Sequence, residues 1–257
     1  MPIVRSRFLS VCMILGLAVA ACDGSTERRQ IPSEFASPPP DPVPSLAPSP
    51  CPNQAEVAGD ESLRTGSLTG DVSGDEVDDR VHMAVDDSGD AGCRAFLLVA
   101  HGDQVAAVAL EVEGVDPALG LPALRQLKQV DGAAGADVIV DLIAGASTVF
   151  AGVYSMATGE PARVTIQGSE PPAQDLFPYG GGVGQLGAVD CTGEGTILIS
   201  SAVPQGPRYL VTRNRYRQTP GALLRDGEAS TGKVKLEALP ARFPEFAGAP
   251  FGSCPAG

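Results

Sequence analysis

Through most of the chain apolar and polar residues exchange places every second position, the period of strands that bury one face. Val81, Met83 and Val85 alternating with Arg80, His82 and Ala84 are the clearest case. The pattern predicts a first set of strands at 62–68, 80–86, 94–101 and 104–112, with Asp87-Ser88-Gly89-Asp90 and Gly102-Asp103 supplying turns. A second set follows at 124–130, 137–143, 148–156 and 163–167, turning at Ala144-Gly145 and Thr158-Gly159. A third falls at 185–189, 196–202, 208–217 and 222–225. The sets begin near Leu63, Leu124 and Gly184, a period of about sixty residues, which is a repeat signature. The expected fold is therefore all-β, with about three antiparallel four-stranded meander repeats over 62–117, 124–170 and 184–230. Pro122 could instead open a short helix before Val130, residues 233–246 fit either a closing strand or a helix, and Gly180-Gly181-Gly182-Val183-Gly184 reads as a flexible connector between repeats.

The N-terminal part follows different rules. Arg5 and Arg7 precede an apolar run over 8–21 that is too short to span a bilayer but suits the core of a signal peptide. The run ends Val19-Ala20-Ala21-Cys22, which resembles the lipobox of bacterial lipoproteins. The resemblance implies cleavage before Cys22, acylation of that residue and stable attachment to a lipid bilayer through more than one chain. Residues 22–52 are rich in Ser and Pro, with nine prolines between Ile31 and Pro52, a composition that cannot build a core and reads as a disordered, semi-rigid tether. The folded region is then 53–257, held off the outer face of the membrane.

Charge and cysteines narrow the picture. Loss of Arg5 and Arg7 with a 1–21 leader would take the formal net charge from −13 to −15. A nucleic-acid partner is not expected on such a surface. Fifteen Arg against three Lys, with abundant Ala, Gly and Pro, suit an actinobacterial type of secreted lipoprotein. Of six cysteines, Cys12 lies in the leader and Cys22 is the lipid acceptor, leaving Cys51, Cys93, Cys191 and Cys254 for two disulfides in an exported domain. Three pairings are open. Cys51 with Cys93 and Cys191 with Cys254 is preferred, because it keeps each bridge within a sequence-local part of a repeat fold.

The candidate chemistry lies between the first two predicted strands. Asp71, Ser73, Asp75 and Asp79 stand at the first, third, fifth and ninth places of a loop, with the Val77 carbonyl at the seventh, a spacing that can wrap a hard cation in oxygen ligands. Calcium is the expected ion. The loop departs from an EF-hand in having Glu76 at the sixth place and His82 at the twelfth, and a strand follows it where an EF-hand has a helix. A loop of this form running into a short strand resembles the FG-GAP (VCBS) repeat of integrin-like β-propellers, which implies a propeller-like or partial propeller arrangement. Three blades are fewer than the roughly four to eight of ordinary propellers. In the second repeat Asp137 occupies the place of Asp79, but Gln129 and Ala133 replace Asp71 and Asp75, so no metal is expected there.

His82 and His101 fall on predicted strands without a recognisable catalytic set, and the local signatures of common hydrolases are missing. Arg213, Arg215 and Arg217 would share one strand face and form a possible anion-binding stripe. Two functions follow: a lipid-anchored binding protein for an envelope or extracellular ligand, its β-repeat domain stabilised by calcium and not enzymatic, or a secreted enzyme or accessory domain using an Arg-lined anion pocket. A concave pocket joining the arginines to a histidine would favour the second.

Overall fold

The computed structural model describes residues 51–257 except 91, 111–121, 146, 170–173, 183 and 194. The leader, Cys22 and nearly all of the expected tether lie outside these residues. A short helix α1 (Gln54–Gly59) leads into β1 (Arg64–Gly70), β2 (Asp79–Val85), β3 (Ala95–His101) and β4 (Gln104–Ala109). These four strands form a separate antiparallel sheet in sequence order, the meander that the alternation implies.

The remaining strands are β5 (Ala123–Lys128), β6 (Asp137–Ala144), β7 (Thr148–Ser155), β8 (Ala162–Arg163), β9 (Thr165–Ile166), β10 (Phe177–Gly181), β11 (Leu186–Cys191), β12 (Thr196–Gln205), β13 (Arg208–Thr219), β14 (Ala222–Arg225) and β15 (Ser230–Val234), before a last helix α2 (Leu239–Arg242). The molecule is all-β as expected and antiparallel in all but one strand pair, but the second and third sets of strands belong to one eleven-stranded sheet. The join is β10, in the stretch read as a glycine connector. Gly180 and Gly181 pair with Gly187 and Leu186. Gly187 lies against Pro178, where a Cβ would come 2.7 Å from backbone atoms. Glycine here permits close strand approach.

Beyond Pro122 the chain is strand, not helix, and 230–246 supplies both a strand and a helix. The residues of β8 and β9 stitch the large sheet back on itself: β8 pairs with β7, whereas β9 runs parallel to β14. Val164 N donates to Val153 O at 2.8 Å and Thr165 N to Gly221 O at 3.1 Å. These are two-residue pieces facing opposite neighbours, a seam and not a barrel strand.

The apolar runs Ala95–Val99 and Val138–Val140 lack the alternation of half-exposed strands because both their faces are covered. From β3, Leu97 and Val99 pack with Val138, Val140, Leu142 and Tyr154, while Phe96 and Leu98 pack with Val57 of α1 and Cys51. Each fully buried Leu here contributes about 1.5–3 kcal/mol. The other face of β6 and β7 enters a core with Phe177, Ile197, Leu223 and Phe251. Finally, Tyr209 and Val211 of β13 are covered by Leu239 and Phe243 from the C-terminal segment. Helix α1 therefore covers apolar residues of the first sheet, and the α2 segment covers those of β13 in the large one.

Both preferred disulfides are present. Cys51–Cys93 ties α1 to the β2–β3 loop, and Cys191–Cys254 ties the C-terminal segment to β11. That segment also reaches β5, through Lys128 Nζ on the Cys254 carbonyl at 3.0 Å and Gln129 N on the Pro255 carbonyl at 3.0 Å. Among the described residues no helix is long and apolar enough to cross a membrane.

Candidate functional site in the β1–β2 loop

The loop from Asp71 to Asp79 is organised by its carboxylates. Asp79, the first residue of β2, is 1 % exposed, and its Oδ2 accepts the amides of Val72 at 2.9 Å and Ser73 at 2.8 Å. Asp71 Oδ1 accepts from Gly74 N at 2.6 Å and Asp75 N at 3.2 Å, and its Oδ2 from Glu76 N at 2.9 Å. Asp75 Oδ1 accepts from Val77 N at 2.9 Å and from the Ser73 hydroxyl at 3.2 Å. Alternate oxygen-bearing side chains thus curl the backbone around themselves. Glu76, at the place an EF-hand gives to glycine, has φ 67°. The sharp turn is made even though the residue is wrong for it.

His101, the last residue of β3, comes into this site, while His82 does not. His101 Nδ1 lies 2.8 Å from Asp79 Oδ1, and its Nε2 lies 3.7 Å from Asp75 Oδ2. The hydrogen bond His101 donates to Asp79, with the charges of Asp75 and Asp79, raises the His101 pKa. Burial works against ionisation of Asp79, but the His101 bond and the two loop amides outweigh it and hold its pKa below the ordinary value. His82, by contrast, is half-buried on β2 and shifted down by desolvation and by Arg64.

Ser73 Oγ is 3.4 Å from His101 Nδ1, the nitrogen already bonded to Asp79. A serine nucleophile needs the opposite ring nitrogen, so Asp79, His101 and Ser73 do not form a triad. Beside them is a cavity of about 180 Å³ lined by Ser73, Val99, His101, Gln104, Ala106, Met156 and Gly159. None of the β13 arginines lines it.

The donor set has the hard-oxygen chemistry of a calcium site, but Asp79 Oδ2, Asp71 Oδ1 and Asp75 Oδ1 each already accept two hydrogen bonds from the loop. The positions do not converge either. The carboxylates turn onto loop amides, and the His101 ring stands between Asp79 and Asp75; no three His, Cys, Asp or Glu groups gather in metal-holding geometry among the described residues.

The β5–β6 loop repeats the architecture with other chemistry. Asp137 Oδ2 accepts the amides of Val130 at 2.6 Å and Asp131 at 2.9 Å. Ser155, ending β7, bonds Asp137 as His101 bonds Asp79. Burial, then the charge of Asp131, pushes the Asp137 carboxyl up to about 7. The two loops touch: Ala136 N donates to Asp71 O at 2.7 Å, and a Cβ on Gly135 would come 2.7 Å from Val72 O and Gly74 N. Asp131 stands where the first loop has Ser73, a difference visible in the sequence that metal-donor spacing alone does not single out.

The arginine stripe is divided. The unbroken β12–β13 register keeps Arg213, Arg215 and Arg217 at alternate positions. Arg213 Nε, however, lies 2.9 Å from Glu245 Oε1, and its guanidinium is 5.7 Å from the Phe243 ring centre. Glu245 is 7 % exposed and also accepts from Ser200 Oγ at 3.0 Å. Arg213 is therefore part of the joint between β13 and the C-terminal segment, and only Arg215 and Arg217 are exposed. Comparison of the chain with protein-family models, curated proteins and solved structures finds no match.

Proposed function

We propose that the protein is a lipid-anchored extracytoplasmic binding lipoprotein, attached through acylated Cys22 and carrying a β-repeat domain of the FG-GAP (VCBS) type that binds an envelope or extracellular ligand. The observation that carries binding over catalysis is the division between the arginines and the histidine: the cavity at His101 contains none of Arg213, Arg215 or Arg217, and Arg213 is engaged by Glu245. Calcium belongs to the same reading. The spacing of Asp71, Ser73, Asp75 and Asp79, the left-handed turn at Glu76 and the exposed side of Asp75 support it. Binding would require the carboxylates to turn inward and His101 to give way.

The anchoring half is tested by fractionation and acyl-chain labelling of wild type and Cys22→Ala in a bacterial host. Wild type should be labelled and sediment with membranes, and the variant should be unlabelled and either released or left unprocessed. Unchanged processing and retention of the variant would refute the lipoprotein reading.

A further inference from the structure

Asp131 and Asp137 are 1 % and 2 % exposed, and both belong to one short loop. Asp137 Oδ2 binds the Asp131 amide at 2.9 Å, so the two carboxyl groups lie in one buried neighbourhood. Asp131 Oδ1 accepts from Ala133 N at 2.8 Å, while its Oδ2 reaches Gly221 N at 2.7 Å across 90 residues. Gly221, with φ 74°, makes the turn between β13 and β14, and its carbonyl accepts Thr165 N at 3.1 Å. One line of contacts therefore runs from Asp137 through Asp131 and Gly221 to the first residue of β9, at the seam that returns the large sheet to β7.

Among the described residues, none of the groups that act most on Asp137 is cationic. From its own loop Asp137 meets Asp131, and from β7 the Ser155 hydroxyl. The β13–β14 turn, residues 219–222, has no ionisable side chain, and Gln218 packs on Gly132. On β5, Lys128 is turned to the Cys254 carbonyl, and Gly257 packs on Ala136. On β8, Arg163 acts on Tyr154. From the first loop come Val72, Gly74 and the backbone of Asp71. Amides can stabilise one buried carboxylate, but two ionised carboxylates in such a space repel with little screening.

We propose that Asp131 and Asp137 form a proton-operated latch on the β9–β14 seam. With the proton on Asp137, Asp131 holds the Gly221 amide and the seam is shut. Loss of that proton leaves two adjacent anions, moves the Asp131 carboxylate off Gly221 and loosens β14 from β9, uncovering Leu223 and Ile166. The raised titration of Asp137 places the change near neutrality. The first loop shows the charge-matched alternative, with His101 where this loop has Ser155 and Ser73 where it has Asp131.

The test follows the Gly221 amide by nuclear magnetic resonance in the full chain from about pH 5.5 to about pH 8.5, with hydrogen exchange corrected for its intrinsic pH dependence. In wild type the resonance should titrate with a midpoint near neutral, and corrected protection should fall about tenfold or more across the range. Asp137→Asn, a fixed neutral partner, should remove the titration and keep Gly221 protected at the alkaline end. Should that variant not fold, the carboxyl carbon of Asp137 in wild type decides: it must titrate together with the Gly221 amide. Constant protection of Gly221 in wild type, a titration unchanged in Asp137→Asn, or independent titration of the two signals would overturn the latch.

Discussion

Asp79 and Asp137 make the same two hydrogen bonds, each accepting on one oxygen the amides seven and six residues before it. Each opens a central strand and each is met by the last residue of the next strand, His101 in one case and Ser155 in the other. The backbone device is common to both loops. Burial and the charge of Asp131 raise the Asp137 carboxyl, whereas the His101 bond and the two loop amides hold Asp79 down.

Asp79→Ala should therefore destabilise the domain by about 2–4 kcal/mol whether or not calcium is present, because it strands two loop amides and leaves His101 without its partner. Asp75→Ala removes a half-exposed donor and should cost less than about 1 kcal/mol in chelator. Urea unfolding of both variants in chelator separates the cap from any metal ligand; equal losses would contradict the assignment.

Glu76→Gly should raise stability. Glu76 is exposed and holds φ 67°, a conformation that costs a residue with a Cβ about 1 kcal/mol relative to glycine. Gly135→Ala should do the reverse, with φ 83° and a Cβ placed 2.7 Å from backbone atoms of the first loop. A loss of about 2 kcal/mol or more is expected from combined strain and overlap. Thermal unfolding midpoints of the two variants check both signs.

The pH dependence has a definite direction at each loop. Asp137 binds its proton more tightly when folded, with a pKa of about 7, than in the unfolded chain near 3.8. Its contribution is complete below the unfolded value, declines as pH rises through that interval and is lost above about 7, a change on the order of 4 kcal/mol. His101, also raised, contributes below its unfolded value and loses that contribution as pH rises through the folded one. Asp79, lowered, contributes above its unfolded value and loses that as pH falls through the folded one. Asp137→Asn should flatten most of the decline between about pH 4 and 7 in denaturant unfolding, and His101→Gln only the part near and above its own titration. A wild-type profile that rises between those limits would contradict the Asp137 assignment.

The strands of the first sheet were legible because their turns are explicit: Asp87-Ser88-Gly89-Asp90 and Gly102-Asp103 bracket residues whose alternation or apolar run admits only a strand. Strand β10 was not legible. Its Phe177-Pro178-Tyr179-Gly180-Gly181 carries a proline and two glycines, which argue locally for a loop; tertiary pairing with β7 and β11 overrides them. Helix α1 is six residues long and owes its place to Cys51–Cys93 and the burial of Val57. Such a short segment shows no helical period of its own. At the site, the Asp and Ser donors were visible from spacing. His101 was not, because only the antiparallel register of β2 and β3 brings the end of one strand beside the start of the other. Arg213 looked like one of three equivalent arginines, and its difference lies in Glu245, which sequence order places far from it.

Thermal unfolding of the protein in millimolar calcium against chelator tests the proposed calcium binding of the Asp71–Asp79 loop most directly. Binding to the folded state alone adds about 2.7 kcal/mol once free calcium exceeds the dissociation constant a hundredfold, a rise of about 5 °C or more in the midpoint. Asp75→Ala should lose that rise, while Asp137→Asn should keep it. Identical wild-type midpoints in the two buffers would contradict the calcium reading and leave a loop closed by its own amides and His101.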